Sequence, residues 1–247
     1  MKLFEMSTLT VVVFLCIMVQ AQVNAVGGGG RDDEYGAARR FMIENDLKAR
    51  DITDPAVLAA MERVPRHLFV SQEHRHQAYG DFPLPIGEGQ TISQPYIVAL
   101  MTQHLRLSKN DTVLEIGTGS GYQAAVLAEV AGTVYTIELN KKLADRAAAL
   151  LQSLGYTNIH VKTGDGFFGW KEHAPFDAIM LTCSAATIPA PLIEQLKEGG
   201  RIILPLGDAY SVQSLVLGIK KNNRLETQTI TAVRFVPMRG EAERKGR

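Results

Sequence analysis

Three glycines, Gly117, Gly119 and Gly121, stand between a β-rich run, Thr112 to Ile116, and an alanine-rich stretch that begins at Tyr122. Glycine at the end of a strand lets the backbone approach a ligand closely and take up positive φ. In an open α/β sheet, the carboxyl ends of the strands are where ligands bind. A glycine cluster alone is equally well a tight turn, so its neighbours must narrow the chemistry. The spacing is G-x-G-x-G, with Thr118 inside it, and not the G-x-G-x-x-G that cradles a dinucleotide pyrophosphate. Glu115, just ahead of Gly117, is awkward beside a pyrophosphate. It suits the cationic α-amino end of a methionine moiety, directly or through water. Glu138 ends the next β-rich run, roughly 20 residues after the first glycine, where a carboxylate accepts from both ribose hydroxyls. Asp165 and Gly166 follow a third such run, where an aspartate can accept from an adenine amino group. Each carboxylate alone reads as a solvated loop residue. Three in order at successive strand ends, beside the glycines, point to an adenosyl ligand.

The elements that must hold these residues follow from the alternation of patterns. Strands are predicted at Thr112 to Ile116, Val134 to Ile137, Ile159 to Lys162, Phe176 to Thr182 and Arg201 to Pro205. Helices are predicted between them at Tyr122 to Ala131, Lys141 to Leu154 and Pro191 to Lys197. Strand and helix in alternation mean a mostly parallel, doubly wound α/β sheet. Val212 to Ile219 and Glu226 to Val236 read as two adjacent strands with a turn at Asn222-Asn223, an antiparallel C-terminal edge. Ahead of the sheet, Phe41, Met42 and Leu47 suit an amphipathic helix running from Tyr35 to Asp46. Thr53-Asp54-Pro55 starts another helix, with a capping side chain and a proline in the first turn, and Pro65 ends it. Tyr79 to Ser93, rich in proline and glycine, reads as an ordered loop, and Pro95 to Leu107 resumes a helical pattern.

Composition narrows the partners. The 26 basic and 26 acidic side chains of this 247-residue chain cancel, which leaves no polyanion footprint and argues against nucleic acid. The cysteines are Cys16 and Cys183, with no CxxC and no clustered histidines, so no metal is expected. The N-terminus is unusual. Lys2, an apolar run from Leu9 to Val19 and Val23-Asn24-Ala25 resemble a secretory signal, too short to span a bilayer comfortably. Gly27 to Gly30 then break the chain. The expected division is a signal-like segment over residues 1–31, helices and a substrate loop over 32–108, and the ligand-binding core over 109–247. Residues 32–247 are expected to fold as one domain.

Four segments, VPRHLFV (Val64 to Val70), PLPIGEGQTISQPYIVALM (Pro83 to Met101), VLEIGTGSGYQAAVLA (Val113 to Ala128) and VRFVPM (Val233 to Met238), resemble the protein-L-isoaspartate O-methyltransferase family in content, order and spacing. The resemblance covers about Tyr35 to Met238. It departs at Cys183-Ser184-Ala185, where the family often carries small residues and proline, and in the apolar N-terminus. It implies a Rossmann-like methyltransferase sheet with an N-terminal helical extension. It also implies S-adenosyl-L-methionine as co-substrate, with Glu115, Gly117, Thr118, Gly119, Gly121, Glu138, Asp165 and Gly166 around it. The implied reaction is methylation of the abnormal carboxylate of L-isoaspartyl residues in damaged proteins and peptides. Ser93 is then the catalytic residue, in a substrate loop of Pro85, Ile86, Gly87, Gln90, Thr91 and Ile92. Without the family, Ser93 reads as a helix N-cap before Pro95, and both roles are compatible. The implied enzyme is a cytoplasmic monomer with no stable membrane partner, since the methyl donor is made in the cytoplasm. The signal-like residues 1–25 favour the alternative, export.

Three rival readings have weaker support. A dinucleotide oxidoreductase conflicts with the glycine spacing and Glu115. An exocyclic-amine methyltransferase usually carries Asn/Asp-Pro-Pro-aromatic after the fourth strand, where this chain has Thr182-Cys183-Ser184-Ala185. A non-catalytic adenosyl-binding module would not need the Gln90-Thr91-Ile92-Ser93 loop.

Overall fold

The structure is a computed structural model that describes residues 33–209 and 211–245. The signal-like segment, Cys16 and the glycine run lie outside the described residues. The chain divides into two units, Met1–Ala38 and Arg39–Arg247. The described part of the first is the opening of helix α1, Asp33–Phe41. In the second unit, the chain continues from Phe41 as a π-helical stretch, Met42–Lys48. The wider π turn stacks residues five apart, so Met42, Ile43 and Leu47 are buried together. Phe41, expected on the apolar face, is 61% exposed.

Helix α2, Pro55–Arg63, starts as its sequence dictates. Asp54 accepts from the N–H groups of Ala56 (2.8 Å) and Val57 (3.4 Å), with Pro55 in the first turn. The expected loop between Tyr79 and Ser93 contains a hairpin instead. Strand β1, Leu84–Gly87, pairs antiparallel with β2, Gln90–Ile92, through Leu84 with Ile92 and Pro85 with Thr91. Proline carries no N–H and suppresses the strand signal, but it is tolerated on a two-stranded sheet with open edges. The turn runs through Gly87, Glu88 and Gly89 at φ of 85°, 54° and 69°, a left-handed path that glycine makes accessible. Helix α3, Pro95–Leu105, follows, and Arg106 ends it in the left-handed region, two residues short of the expected Leu107.

The core is a seven-stranded sheet. In chain order it is built from β3 Thr112–Ile116, helix α4 Tyr122–Val130, β4 Thr133–Glu138, helix α5 Lys141–Ser153 and β5 Ile159–Thr163. Then come β6 Phe176–Leu181, helix α6 Ala190–Gln195, β7 Leu196–Leu206, β8 Gln213–Lys221, β9 Arg224–Val233 and helix α7 Glu241–Lys245. The strand order is β5-β4-β3-β6-β7-β8-β9. Neighbours are parallel as far as β7, whereas β8 and β9 pair antiparallel. Strand β7 begins earlier than the expected Arg201. Its pairing with β6 shifts register between Phe176 and Ala178, which absorbs the extra residues. Asn222 and Asn223, at φ of 51° and 59°, make the two-residue turn between β8 and β9. Positive φ at both central positions matches the strand twist and favours asparagine.

Central strands of such a sheet are covered on both faces and read as unbroken apolar runs. Leu114, Ile137, Ile179, Leu181, Ile202 and Leu204 are accordingly buried in one cluster. Burial contributes roughly 1.5–3 kcal/mol per large apolar side chain. Glu115 lies in the middle of this apolar material and is 0% exposed.

Candidate active site

Strand order reverses at β3. Strands β4 and β5 run to one side of it, β6 and β7 to the other. Such a reversal leaves a crevice at the carboxyl ends of the strands. A cavity of about 340 Å³ opens there, the size of a small-ligand site.

The glycine loop forms one wall. Gly117 donates its N–H to the Ile137 carbonyl at 2.8 Å, which seats the loop on β4. Its φ is 100°, and a Cβ there would collide with Thr182 Oγ1, so both conformation and space require glycine. Gly117, Thr118 and Gly119 line the cavity. Gly121 does not. It sits at φ 87° as the N-cap of α4, packed towards Ala147 and Leu151 of α5.

Glu138 ends β4 at the cavity. Its Oε2 accepts from the Gly119 N–H and its Oε1 from the Asn140 N–H, both at 2.9 Å. A carboxylate has about four acceptor sites, so two remain for ligand hydroxyls. The backbone bonds fix the carboxylate in place beforehand. Asp165 stands one residue behind the wall. It accepts from the Phe167 N–H (3.0 Å) and the Glu241 N–H (2.8 Å), while its neighbour Gly166 lines the cavity.

Glu115 lies beneath the floor. One carboxylate oxygen accepts from Thr136 Oγ1 at 2.6 Å, and Thr136 Oγ1 is 2.6 Å from Thr118 Oγ1. The other oxygen, Oε1, is buried with no hydrogen-bond partner among the described residues. Burial pushes this carboxyl up to about 8. The Thr136 hydrogen bond opposes that rise, and the nearby Glu138 charge adds to it. An orphaned acidic oxygen under a glycine loop, spare acceptor sites on Glu138 and a backbone cradle at Gly117 fit a ligand with a cationic end and a ribose. S-adenosylmethionine has both.

The segment expected to contact substrate also reaches this cavity. Gln90, Thr91, Ile92 and Ser93 line the same cavity. Pro85, Ile86 and Gly87, on β1, do not line it, although the Ile86 side chain reaches Gly119. The Ile86 carbonyl accepts from Arg146 at 2.9 Å, and Glu88 at the tip lies 3.6 Å from Lys142. The hairpin is thereby tied to α5, the helix that follows Glu138. Ser93 is not the cap of α3. Gln94 occupies that position, and Asp81 Oδ1 accepts the Tyr96 N–H instead.

A third wall comes from Val236 to Arg239, which overlaps the VRFVPM segment of the resemblance but held no expected site residue. It is held by Ser184, whose N–H donates to the Val236 carbonyl (2.9 Å) and whose carbonyl accepts from Met238 (2.8 Å). The departure at Cys183-Ser184 therefore grips the C-terminal segment through main-chain atoms. Cys183 lines the cavity, but burial pushes its thiol up to about 12, with Glu138 and Glu115 raising it further. A nucleophilic cysteine needs the opposite shift. Asn140 and Thr182 also line the cavity. Only their positions just beyond strands β4 and β6 could have signalled them. Among the described residues, no group of His, Cys, Asp and Glu could hold a metal ion, and no helix is long and apolar enough to cross a membrane.

Comparison with known proteins agrees with this geometry. The family profile described as protein-L-isoaspartate(D-aspartate) O-methyltransferase matches residues 37–243. A Shewanella sediminis protein named protein-L-isoaspartate O-methyltransferase 2 is 55% identical over 92% of this chain and 93% of its own length. One from Opitutus terrae, named protein-L-isoaspartate O-methyltransferase, is 57% identical over 82% of this chain and 87% of its own. A solved protein-L-isoaspartate O-methyltransferase superposes with a TM-score of 0.77 at 31% identity, over 83% of this chain and 67% of that one. A Plasmodium falciparum protein described as an enzyme of the same kind, solved with S-adenosyl-L-homocysteine, superposes at 0.71 with 26% identity, over 81% and 98%. With the reversed strand order, the glycine cradle and the Gln90–Ser93 segment on the same cavity all in place, the chain belongs to the protein-L-isoaspartate O-methyltransferase family of S-adenosylmethionine-dependent enzymes.

Proposed function

We propose that this cavity brings S-adenosylmethionine and the α-carboxylate of an L-isoaspartyl residue together for methyl transfer. The observation that carries the reading is that Gly117–Gly119 with Glu138, and Gln90–Ser93, open onto one cavity. Glu138 takes the ribose hydroxyls, the backbone of the glycine loop receives the methionine end, and Gly166, with Asp165 behind it, borders the adenine.

When bound, S-adenosylmethionine supplies an electrophilic methyl group on a sulfonium. The substrate carboxylate has an ordinary pKa of about 3.5–4 and is ionised at neutral pH, so no general base is required. The residues align carboxylate oxygen and methyl carbon, and such alignment is worth about 7–11 kcal/mol in favourable intramolecular cases. Ser93 donates a hydrogen bond to the carboxylate and orients it. An unassisted serine hydroxyl is a poor nucleophile, and none is needed here. The main-chain amide nitrogen attacks the ester and expels methanol, closing a succinimide, and hydrolysis of that ring returns some normal aspartate. The balanced charge supports a protein substrate over nucleic acid, without a stable membrane partner. A monomer working in the cytoplasm, where the donor is made, completes the reading.

The test uses two peptides that differ at one residue, L-isoaspartate or L-aspartate, with labelled S-adenosylmethionine. Both carry an ionised carboxylate, so nucleophilicity does not distinguish them. In the isoaspartyl peptide the carboxylate lies directly on Cα and the chain continues through the side chain. Label is expected in that peptide alone. Equal labelling of both would leave a general carboxyl methyltransferase, and labelling of neither would remove the substrate assignment.

A further inference from the structure

Behind the glycine loop runs a short polar chain inside an otherwise apolar core. Glu115 and Thr136 are 0% exposed and Thr118 is 3% exposed. Thr136 Oγ1 lies 2.6 Å from a Glu115 carboxylate oxygen and 2.6 Å from Thr118 Oγ1. Glu115 does not line the cavity, whereas Thr118 does.

A hydroxyl has one proton to donate. The ligand-free protein holds Glu115 neutral at neutral pH, and a cation bound nearby favours the ionised form. Once Glu115 is ionised, Thr136 spends its proton on the carboxylate. The proton between the two hydroxyls must then come from Thr118. Thr118 Oγ1 is left able to accept only, so it favours a donor and above all a cationic one. Hydrogen-bond chains polarise along their length, and low dielectric strengthens each link. We infer that Thr136 is a positioning residue for the co-substrate: it carries the charge of buried Glu115 to Thr118 and fixes that hydroxyl as an acceptor for the α-ammonium group. This rests on the assignment of the cavity to S-adenosylmethionine. Thr136 sits on β4, two residues ahead of Glu138 and outside the glycine motif, so no pattern in the sequence marks it.

The experiment compares two ligands by calorimetry. S-adenosylhomocysteine carries the amino-acid end, and 5′-methylthioadenosine keeps the adenosine and sulfur without it. Thr136→Val retains the β-branched shape and removes the hydroxyl. It is expected to weaken S-adenosylhomocysteine about tenfold or more, the scale of a lost hydrogen bond to a charged group. Methylthioadenosine is expected to bind as it does to the unaltered protein, and Thr136→Ser to recover most of the lost affinity. A merely structural role would weaken both ligands alike, and that result overturns the inference, as does an undiminished affinity for S-adenosylhomocysteine. If the unaltered protein binds neither ligand, the cavity assignment fails first and the inference with it.

Discussion

The carboxylate of Asp81 accepts the backbone N–H of Tyr96 at 2.9 Å, capping α3 from a position ahead of the β1–β2 hairpin. Its second oxygen accepts from Gln94 Nε2 at 3.2 Å and Arg50 Nη1 at 3.1 Å. One side chain thus closes the segment from residue 81 to residue 96, which contains the hairpin and Ser93. Asp81 sets where Ser93 stands without itself lining the cavity.

Replacing Asp81 with alanine is expected to remove a helix cap worth about 0.5–2 kcal/mol and to loosen the segment that presents Ser93. Steady-state kinetics should show a lower kcat and a higher KM for the isoaspartyl peptide, with S-adenosylhomocysteine affinity unchanged. Asp81→Asn, which keeps an acceptor, is expected to recover part of the rate. A variant that loses cofactor affinity equally would show that Asp81 supports the whole domain.

Ser93→Ala separates the two walls of the cavity. Loss of one hydrogen bond to a charged group costs about 1.5–3 kcal/mol, or about 10- to 100-fold in methyl transfer. Affinity for S-adenosylhomocysteine is expected to stay the same, because Ser93 acts on the carboxylate side. An unaltered single-turnover rate would remove Ser93 from the chemistry.

Glu138→Ala deletes the proposed ribose acceptors and the anchor of the Gly119 and Asn140 N–H groups. Binding of S-adenosylhomocysteine is expected to weaken by about 1–3 kcal/mol. Glu138→Gln, which keeps one acceptor oxygen and much of the shape, is expected to fall between. If calorimetry finds native affinity in both variants, the ribose contact lies elsewhere.

The buried carboxyl of Glu115 gives a pH dependence to the ligand-free protein. Its ordinary value is 4.5, and burial raises it to about 8 in the folded chain. Between these values the unfolded chain has lost a proton that the folded chain keeps. Stability therefore falls as pH rises across that window, and the loss is complete above about 8. Denaturant unfolding of the ligand-free protein at pH 5 and pH 8.5 is expected to show a shallower decline for Glu115→Gln than for the unaltered chain. Identical declines would mean that Glu115 ionises normally in the fold.

How far the sequence carries depends on the range of the interactions. The α/β core is legible because strand and helix patterns are local, and so are the Asp54-Pro55 helix start and the Asn222-Asn223 turn. The hairpin at Leu84–Ile92 is hidden by Pro83, Pro85 and the glycines, whose local preferences point away from strands. Phe41 is misread because a switch to π-helical winding moves the buried face. Asp81, Thr136 and the wall at Val236–Arg239 owe their places to contacts across 15, 18 and 52 residues, to Tyr96, Thr118 and Ser184 respectively. No window of sequence shows such partners.

The wall supplied by Val236–Arg239 also orders events in time. Chains are made from the amino end, so the glycine loop, Glu138 and Ser93 leave the ribosome well before the segment that encloses them. Until residues 236–241 have emerged, Ser184 lacks its Val236 and Met238 partners and Asp165 lacks the Glu241 N–H. A nascent chain thus holds most of the binding groups but no closed cavity. The cavity can close only after translation has delivered this wall.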